Sequence, residues 1–327
     1  MPKNLNLKQL AKDLARHPSV LEKVFISKTY KHAEGQSKDI KIGDDCAAIL
    51  DPISGGHILF AAEGMISSFV EQDPWFAGYS SIMVNISDVV AMGGKPIAIT
   101  DVLWCSDHDE DMVNEIWMGM CAASQDYSVP IVGGHTTKNI EKTEKVYLAA
   151  SVLGRAGSKL LTSFEAEAGD QLVMVLDTDG AFRREKPFWN SSTSSSPKKL
   201  QKIISIFPEL AHRGLCKAAK DISNGGIIGT LAMFSKCSKL GAILDLDSLF
   251  IPKETNWLKW LISFPSFGYL LALKGNDLKE VQTLFSDQES IFVDSIGKFK
   301  KQPGISIAHK GISIALDFGE YENKEIG

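Results

Sequence analysis

A handful of acidic positions carry whatever chemistry this sequence holds. Asp44 and Asp45 stand side by side after Gly43, Glu63 ends an apolar run just before Gly64, and Asp221 precedes Ile-Ser-Asn-Gly-Gly. Asp88 and Asn85 interrupt the apolar stretch VNISDVVAMGGKP. Three residues apart, they face the same way on a helix, among Ile82, Ile86, Val89 and Val90. A buried carboxylate without a partner is costly, so a partner or a metal is expected there. Several carboxylates meeting in one place repel one another unless cations compensate. Mg2+ suits that role, because it takes a few carboxylates and completes its shell with waters and substrate phosphates. Each motif also has a plainer reading. Asp-Asp after glycine is commonly a turn, Glu63 a strand-end residue, and GGHTT a simple turn with His135 a core histidine.

The elements that must position these residues follow from periodicity. Residues 5–24 read as an amphipathic helix broken at Pro18, and 27–41 as a lysine-rich segment suited to closing over phosphates. Strands at Cys46–Leu50 and His57–Ala62 make a hairpin-like pair around Gly55–Gly56. Ala77 to Met92 is helical, stopped by Gly93–Gly94 and Pro96. Pro96 to Trp104 alternates as a strand, with Ile97, Ile99, Asp101 and Leu103 on one side. Asp107–Asp109 can cap a helix reaching Cys121, IVGGHTT is a strand end running into a glycine turn, and Val146–Val152 is one more strand. Beyond a seam at Gly154–Gly169, strands are expected at 171–176, 242–246, 268–273, 291–296 and 311–316. Helices are expected near 198–206, 209–219, from the KDISNGG turn to Cys237, 255–262 and 276–285. Residues 182–200, with the serine run at 190–197, read as an exposed low-complexity excursion. The pattern is α/β with mixed sheets, α+β in local character.

Composition excludes several classes. With 327 residues, 44% of them apolar, the chain can bury one large core or two medium ones. A net charge of −5 lacks the basic footprint of a nucleic-acid binder. Five cysteines without a CxxC pair make poor material for disulfides or zinc. No apolar run is long enough for a membrane span and no leader-like segment opens the sequence, so a cytoplasmic protein is expected. GxGxxG, the P-loop, GxSxG and HExxH are all missing. Phosphate, if handled here, needs another cradle.

In order along the chain, GDDCAA, a strand ending in an acid, NISDVVAMGGKP, GGHTT and KDISNGG resemble one superfamily. It contains aminoimidazole ribonucleotide (AIR) synthetase, thiamine-monophosphate kinase, selenophosphate synthetase and formylglycinamidine synthetase, and the resemblance spans roughly residues 40–300. It implies a two-domain AIR synthetase-like fold. Residues 1–155 would form an N-terminal domain that dimerises through its sheet and binds ATP with Mg2+, and 156–327 a substrate domain. By position, Asp44, Asp45, Glu63 and Asp88 would hold metal; Lys41, Asp45, Asn85, Gly133, Gly134, His135 and Thr136 would bind nucleotide. Asp44, Asp88 and Asp221 would be catalytic, with Asn224 near the acceptor, and Lys28, Lys31 and Lys38 would join Lys41 over the phosphates.

The implied activity is ATP- and Mg2+-dependent phosphoryl transfer to, or activation of, a small-molecule substrate by a homodimer, with no nucleic acid or membrane involved. Thiamine-monophosphate kinase carries Asp where this chain has His135 and Asn224, and selenophosphate synthetase uses a cysteine upstream of the acidic motif, where none precedes Cys46. Both activities stand as alternatives, as does nucleotide binding without turnover.

Overall fold

A computed structural model describes residues 5–26, 40–106, 110–138 and 145–319. Two compact units emerge. The N-terminal unit takes Asp45–Lys159 and Ser195–Glu209; the C-terminal unit takes Leu160–Ser194, the chain from Leu210 on, and the residues up to Asp44.

Helices α1 (Leu7–Arg16) and α2 (Pro18–Ile26) therefore belong to the C-terminal unit. Pro18 divides them as its fixed φ and missing donor require. Asn6 caps α1 by accepting a hydrogen bond from the Gln9 N–H at 3.0 Å, and Leu7, Leu10 and Leu14 are buried along one face.

In the N-terminal unit, β1 (Ala47–Leu50) and β2 (His57–Met65) form the expected antiparallel hairpin, Ala47 opposite Phe60. There follow α3 (Ser67–Gln72), α4 (Pro74–Ala91), β3 (Lys95–Trp104), α5 (Glu110–Tyr127), β4 (Ile131–Thr137) and β5 (Tyr147–Ala156). The sheet order is β1-β2-β5-β3-β4, parallel only between β3 and β4. Helix α4 lies on one face, and α5 packs on it almost backbone to backbone. A Cβ at Gly78 would stand 2.0 Å from the Ile116 carbonyl oxygen, and one at Gly119 1.8 Å from that of Trp75. The opposite face stays bare, with Ile49, Phe60, Trp104, Tyr147 and Leu153 each 39–50% exposed.

Two expectations change here. Ile97 is exposed, because a bulge between Pro96 and Ala98 shifts its phase away from the buried Ile99, Asp101 and Leu103. IVGGHTT does not turn. It runs extended through Thr137 as β4, paired with β3 to its end.

The rest of the C-terminal unit begins with β6 (Gln171–Asp177), β7 (Ala181–Phe182) and β8 (Phe188–Asn190). Next come α6 (Pro197–Arg213), whose residues up to Glu209 belong to the N-terminal unit, then β9 (Ala218–Asp221), α7 (Gly226–Ser238), β10 (Gly241–Asp245), α8 (Trp257–Leu261) and β11 (Phe264–Pro265). The chain closes with β12 (Gly268–Leu273), α9 (Leu278–Leu284), β13 (Ile291–Lys300), β14 (Gly304–His309) and β15 (Ile312–Ala315). A seven-stranded sheet is ordered β15-β14-β10-β13-β6-β12-β9, and a small one β11-β8-β7.

Here α6 replaces the two helices expected at 198–206 and 209–219. Pro208 removes one helical donor, but Leu200, Ile203, Phe207, Leu210 and Ala211 keep a buried stripe through it. The lysine and aspartate of KDISNGG end strand β9 before the turn begins. The excursion at 182–200 is exposed only in part: residues 184–187 and 196–198 are exposed, but its middle is buried. Trp189 is 6% exposed, and Ser191 and Ser192 are fully buried. Their backbone N–H groups donate to Ser266 Oγ at 2.9 and 3.0 Å, so serine satisfies the backbone where apolar burial could not.

Among the described residues, no helix is long and apolar enough to cross a membrane.

Candidate functional site

Helix α4 opens with Pro74 at its first turn and buries residues on almost every side, Asn85 and Asp88 included. At its end Gly93 adopts φ +70°, a left-handed stop, and the Gly93 and Gly94 N–H groups return to the Val90 and Val89 carbonyls at 2.8 and 2.9 Å. Asn85 fastens the helix to the sheet. Its Nδ2 donates to the Ser81 carbonyl at 2.8 Å and to the Ala150 carbonyl of β5 at 3.2 Å, while its buried Oδ1 has no hydrogen-bond partner.

One turn on, Asp88 is 6% exposed, and a carboxylate oxygen of Asp45 lies within 4.8 Å of one of its own. Two carboxylates so close repel one another unless a cation or donors sit with them. Oxygen donors at that spacing fit a hard divalent ion such as Mg2+.

The other acids are placed differently. Asp44 accepts a hydrogen bond from the Ser163 N–H at 3.0 Å and another from Ser163 Oγ, inside the C-terminal unit. Glu63, exposed on β2, pairs in register with Ala150 of β5. Neither belongs to the group that brings Asp45 to Asp88.

Register reveals an acid that motif reading passed over. Across the sheet, Glu63, Ala150, Asp101 and Gly134 form one row, so their side-chain directions share a face. Asp101 is 2% exposed, and neither carboxylate oxygen finds a hydrogen-bond partner. Burial pushes its pKa above the ordinary carboxylate value. The carboxyl leans over Gly134, where a Cβ would come 2.1 Å from Oδ1. That close approach explains a glycine in mid-strand. Asp101, Gly134 and Thr136 line a cavity of about 510 Å³ with Trp117, Cys121 and Ser124 of α5. An acid at an inward phase of a strand, between Ile99 and Leu103, was the available signal.

Alternation also divides GGHTT. Gly134 and Thr136 face the cavity, whereas His135, opposite Val102, turns to the bare face.

In the C-terminal unit, Lys41 lies 3.6 Å from Glu165 and 5.1 Å from the Phe164 ring centre. Asp221, 5% exposed, ends β9 opposite Tyr269, and its carbonyl accepts from Thr230 Oγ1 at 3.2 Å. Asn224 donates from Nδ2 to Glu22 at 3.1 Å, and its Oδ1 accepts from the Gly225 N–H at 3.0 Å. Lys28, Lys31, Lys38 and the cap at 107–109 lie outside the described residues.

Comparison with known proteins agrees with this architecture. Residues 43–156 match the family described as AIR synthase related protein, N-terminal domain, and residues 149–310 its C-terminal domain. An uncharacterized protein of Synechocystis is 45% identical over 84% of this chain and 83% of its own length. Thermotoga maritima PurL, solved in complex with ATP, superposes with a TM-score of 0.73 at 19% identity, over 97% of this chain and 54% of that one. The chain thus spans about half of that structure. AaThiL, complexed with AMPPCP and TMP, superposes with a TM-score of 0.64 at 17% identity, over 86% of this chain and 92% of that one.

Proposed function

The chain belongs to the AIR synthase related family, and from that membership we propose that it is an ATP- and Mg2+-dependent enzyme that phosphorylates or otherwise activates a small metabolite. The observation that carries this reading is the pair Asp45 and Asp88, two carboxylates with ligand atoms within 4.8 Å, one of them set deep in an apolar helix. ATP in the PurL structure and AMPPCP in the AaThiL structure support a nucleotide at this fold.

In this reading Asp45 and Asp88 would hold Mg2+. When bound, the ion would neutralise charge on the nucleotide's phosphates, the main electrostatic contribution to phosphoryl transfer. Asn85 fixes the height of α4 over β5 and thereby the position of Asp88. Gly133, Gly134 and Thr136, which line the β4 cavity, would bind nucleotide, and Asp221 would serve the acceptor. The acceptor's nucleophile displaces ADP from the γ-phosphorus. The protein's task is positioning and the exclusion of water rather than covalent chemistry.

We further propose a homodimer formed through the bare sheet face. Apolar side chains across one face of an antiparallel sheet call for a cover.

The test is nucleotide turnover with a panel of small metabolites, comparing the native chain with Asp88→Asn. The native chain should convert ATP with its acceptor, and the variant should lose at least 100-fold in kcat/KM. Equal turnover by both, or nucleotide binding with no ATP consumed across the panel, contradicts the assignment.

A further inference from the structure

The serine-rich excursion frames a second cavity. β7 and β8 form a hairpin with Ala181 opposite Asn190 and Phe182 opposite Trp189. Alternation gives it two unlike faces. Phe182 and Trp189 turn into an aromatic cluster with Trp260, ring centres 5.3–6.3 Å apart. Arg183 and Asn190 fall on the other phase, beside a cavity of about 480 Å³ whose lining includes both of them with Arg184, Thr193 and Asp179, and which Phe182 also borders.

This lining is held in place. The five-residue connection between the strands contains a tight turn, with the Lys186 N–H donating to the Arg183 carbonyl at 3.0 Å. The turn's central residues, Arg184 and Glu185, both have positive φ, +45° and +58°. Such a turn favours Asn-Gly, so two long charged residues here are a costly choice, and costly backbone of this kind clusters at ligand sites. Asn190 Nδ2 donates to Thr193 Oγ1 at 2.6 Å. That bond leaves the Thr193 hydroxyl proton to be donated elsewhere. The floor is pinned where Ser191 and Ser192 donate to Ser266.

Two guanidinium groups against the single carboxylate of Asp179 give the lining a net positive charge, in a chain of net charge −5. Guanidinium forks and a hydroxyl donor match an oxyanion with several acceptor oxygens. We propose that this cavity binds the phosphate group of a phosphorylated small metabolite, gripped by Arg183 and Arg184 with Thr193 as a hydroxyl donor. Naming that metabolite as the acceptor rests on the phosphotransfer reading above; the oxyanion site does not.

The experiment therefore uses inorganic phosphate, without nucleotide, on the full chain. At matched ionic strength, phosphate should raise the melting temperature saturably and chloride should not. Acetate, a singly charged planar anion, should act at least tenfold more weakly. Arg183→Gln with Arg184→Gln should lower phosphate affinity at least tenfold, and Thr193→Val severalfold, while affinity for Mg·ATP stays unchanged. Should the double variant not fold, modification of Arg183 by phenylglyoxal in the native chain gives an independent reading, slowed at least fivefold by saturating phosphate. Equal responses to phosphate and chloride, retained affinity in the double variant, or unprotected Arg183 would overturn the proposal. Phosphate binding without ATP turnover would leave this site standing and remove only the phosphotransfer reading.

Discussion

The two sheets spend burial differently. In the C-terminal unit, β12 is buried at every residue and β6 at all but its first, with Val173, Leu270 and Leu271 at zero exposure. In the N-terminal unit, Asn85, Asp88 and Asp101 are buried amid the helix–sheet packing. Strands β6 and β12 gain stability chiefly from apolar area, although the C-terminal unit also buries Asp177, Lys220 and Asp221; in the N-terminal unit the buried polar groups lie on α4 and β3, within its helix–sheet packing. The two proposed sites differ likewise: the acidic one draws on buried groups of the first unit, and the oxyanion one lies where the Arg183 hairpin stands on its aromatic cluster.

Substitutions can break or sharpen this contrast. Leu270→Ala, in the middle of the apolar interior, should cost about 2–5 kcal/mol in denaturant unfolding. Gly134→Val should cost about 1–3 kcal/mol by driving a side chain into Asp101. Gly133→Ala, its neighbour with nothing within 4 Å of the added atom, should change stability by no more than about 0.5 kcal/mol. If both glycines tolerate substitution alike, Asp101 does not occupy the space above β4.

Asp101 itself gives a pH signature. Its folded pKa is raised by burial, so the folded chain holds the proton more tightly than the unfolded one. Stability is then fully present below the unfolded carboxylate pKa and lost as pH rises through the folded value. Asp101→Asn should accordingly gain on the native chain as pH rises out of the ordinary carboxylate range, read as the difference between their melting temperatures. A constant difference from pH 4 to 7 would deny the group its buried position. The smallest effect on stability is expected from Phe60→Ser on the bare face, within about 0.5 kcal/mol. The same change should shift the mass measured by light scattering toward the monomer.

Much of this was legible beforehand. The hairpin β1–β2, α4 with its glycine stop, and the phase of Ile99, Asp101 and Leu103 all follow from local pattern. What escaped depends on contacts between distant segments. GGHTT reads as a turn until Asp101 is known to occupy the space above Gly134. The serine run reads as solvent-exposed until Ser266, about 75 residues on, supplies its acceptor. Asp44 and Asp45 are indistinguishable in sequence. They part because Ser163 engages the first, while the second approaches Asp88.

The most direct test of the acidic pair is calorimetric titration of Mg2+ with a non-hydrolysable ATP analogue into the full chain, the Asp45→Asn chain and the Asp88→Asn chain. Saturable binding by the native chain, weakened at least tenfold by each substitution with melting temperature preserved, is the result expected. Binding of equal strength in all three would contradict a shared cation between Asp45 and Asp88.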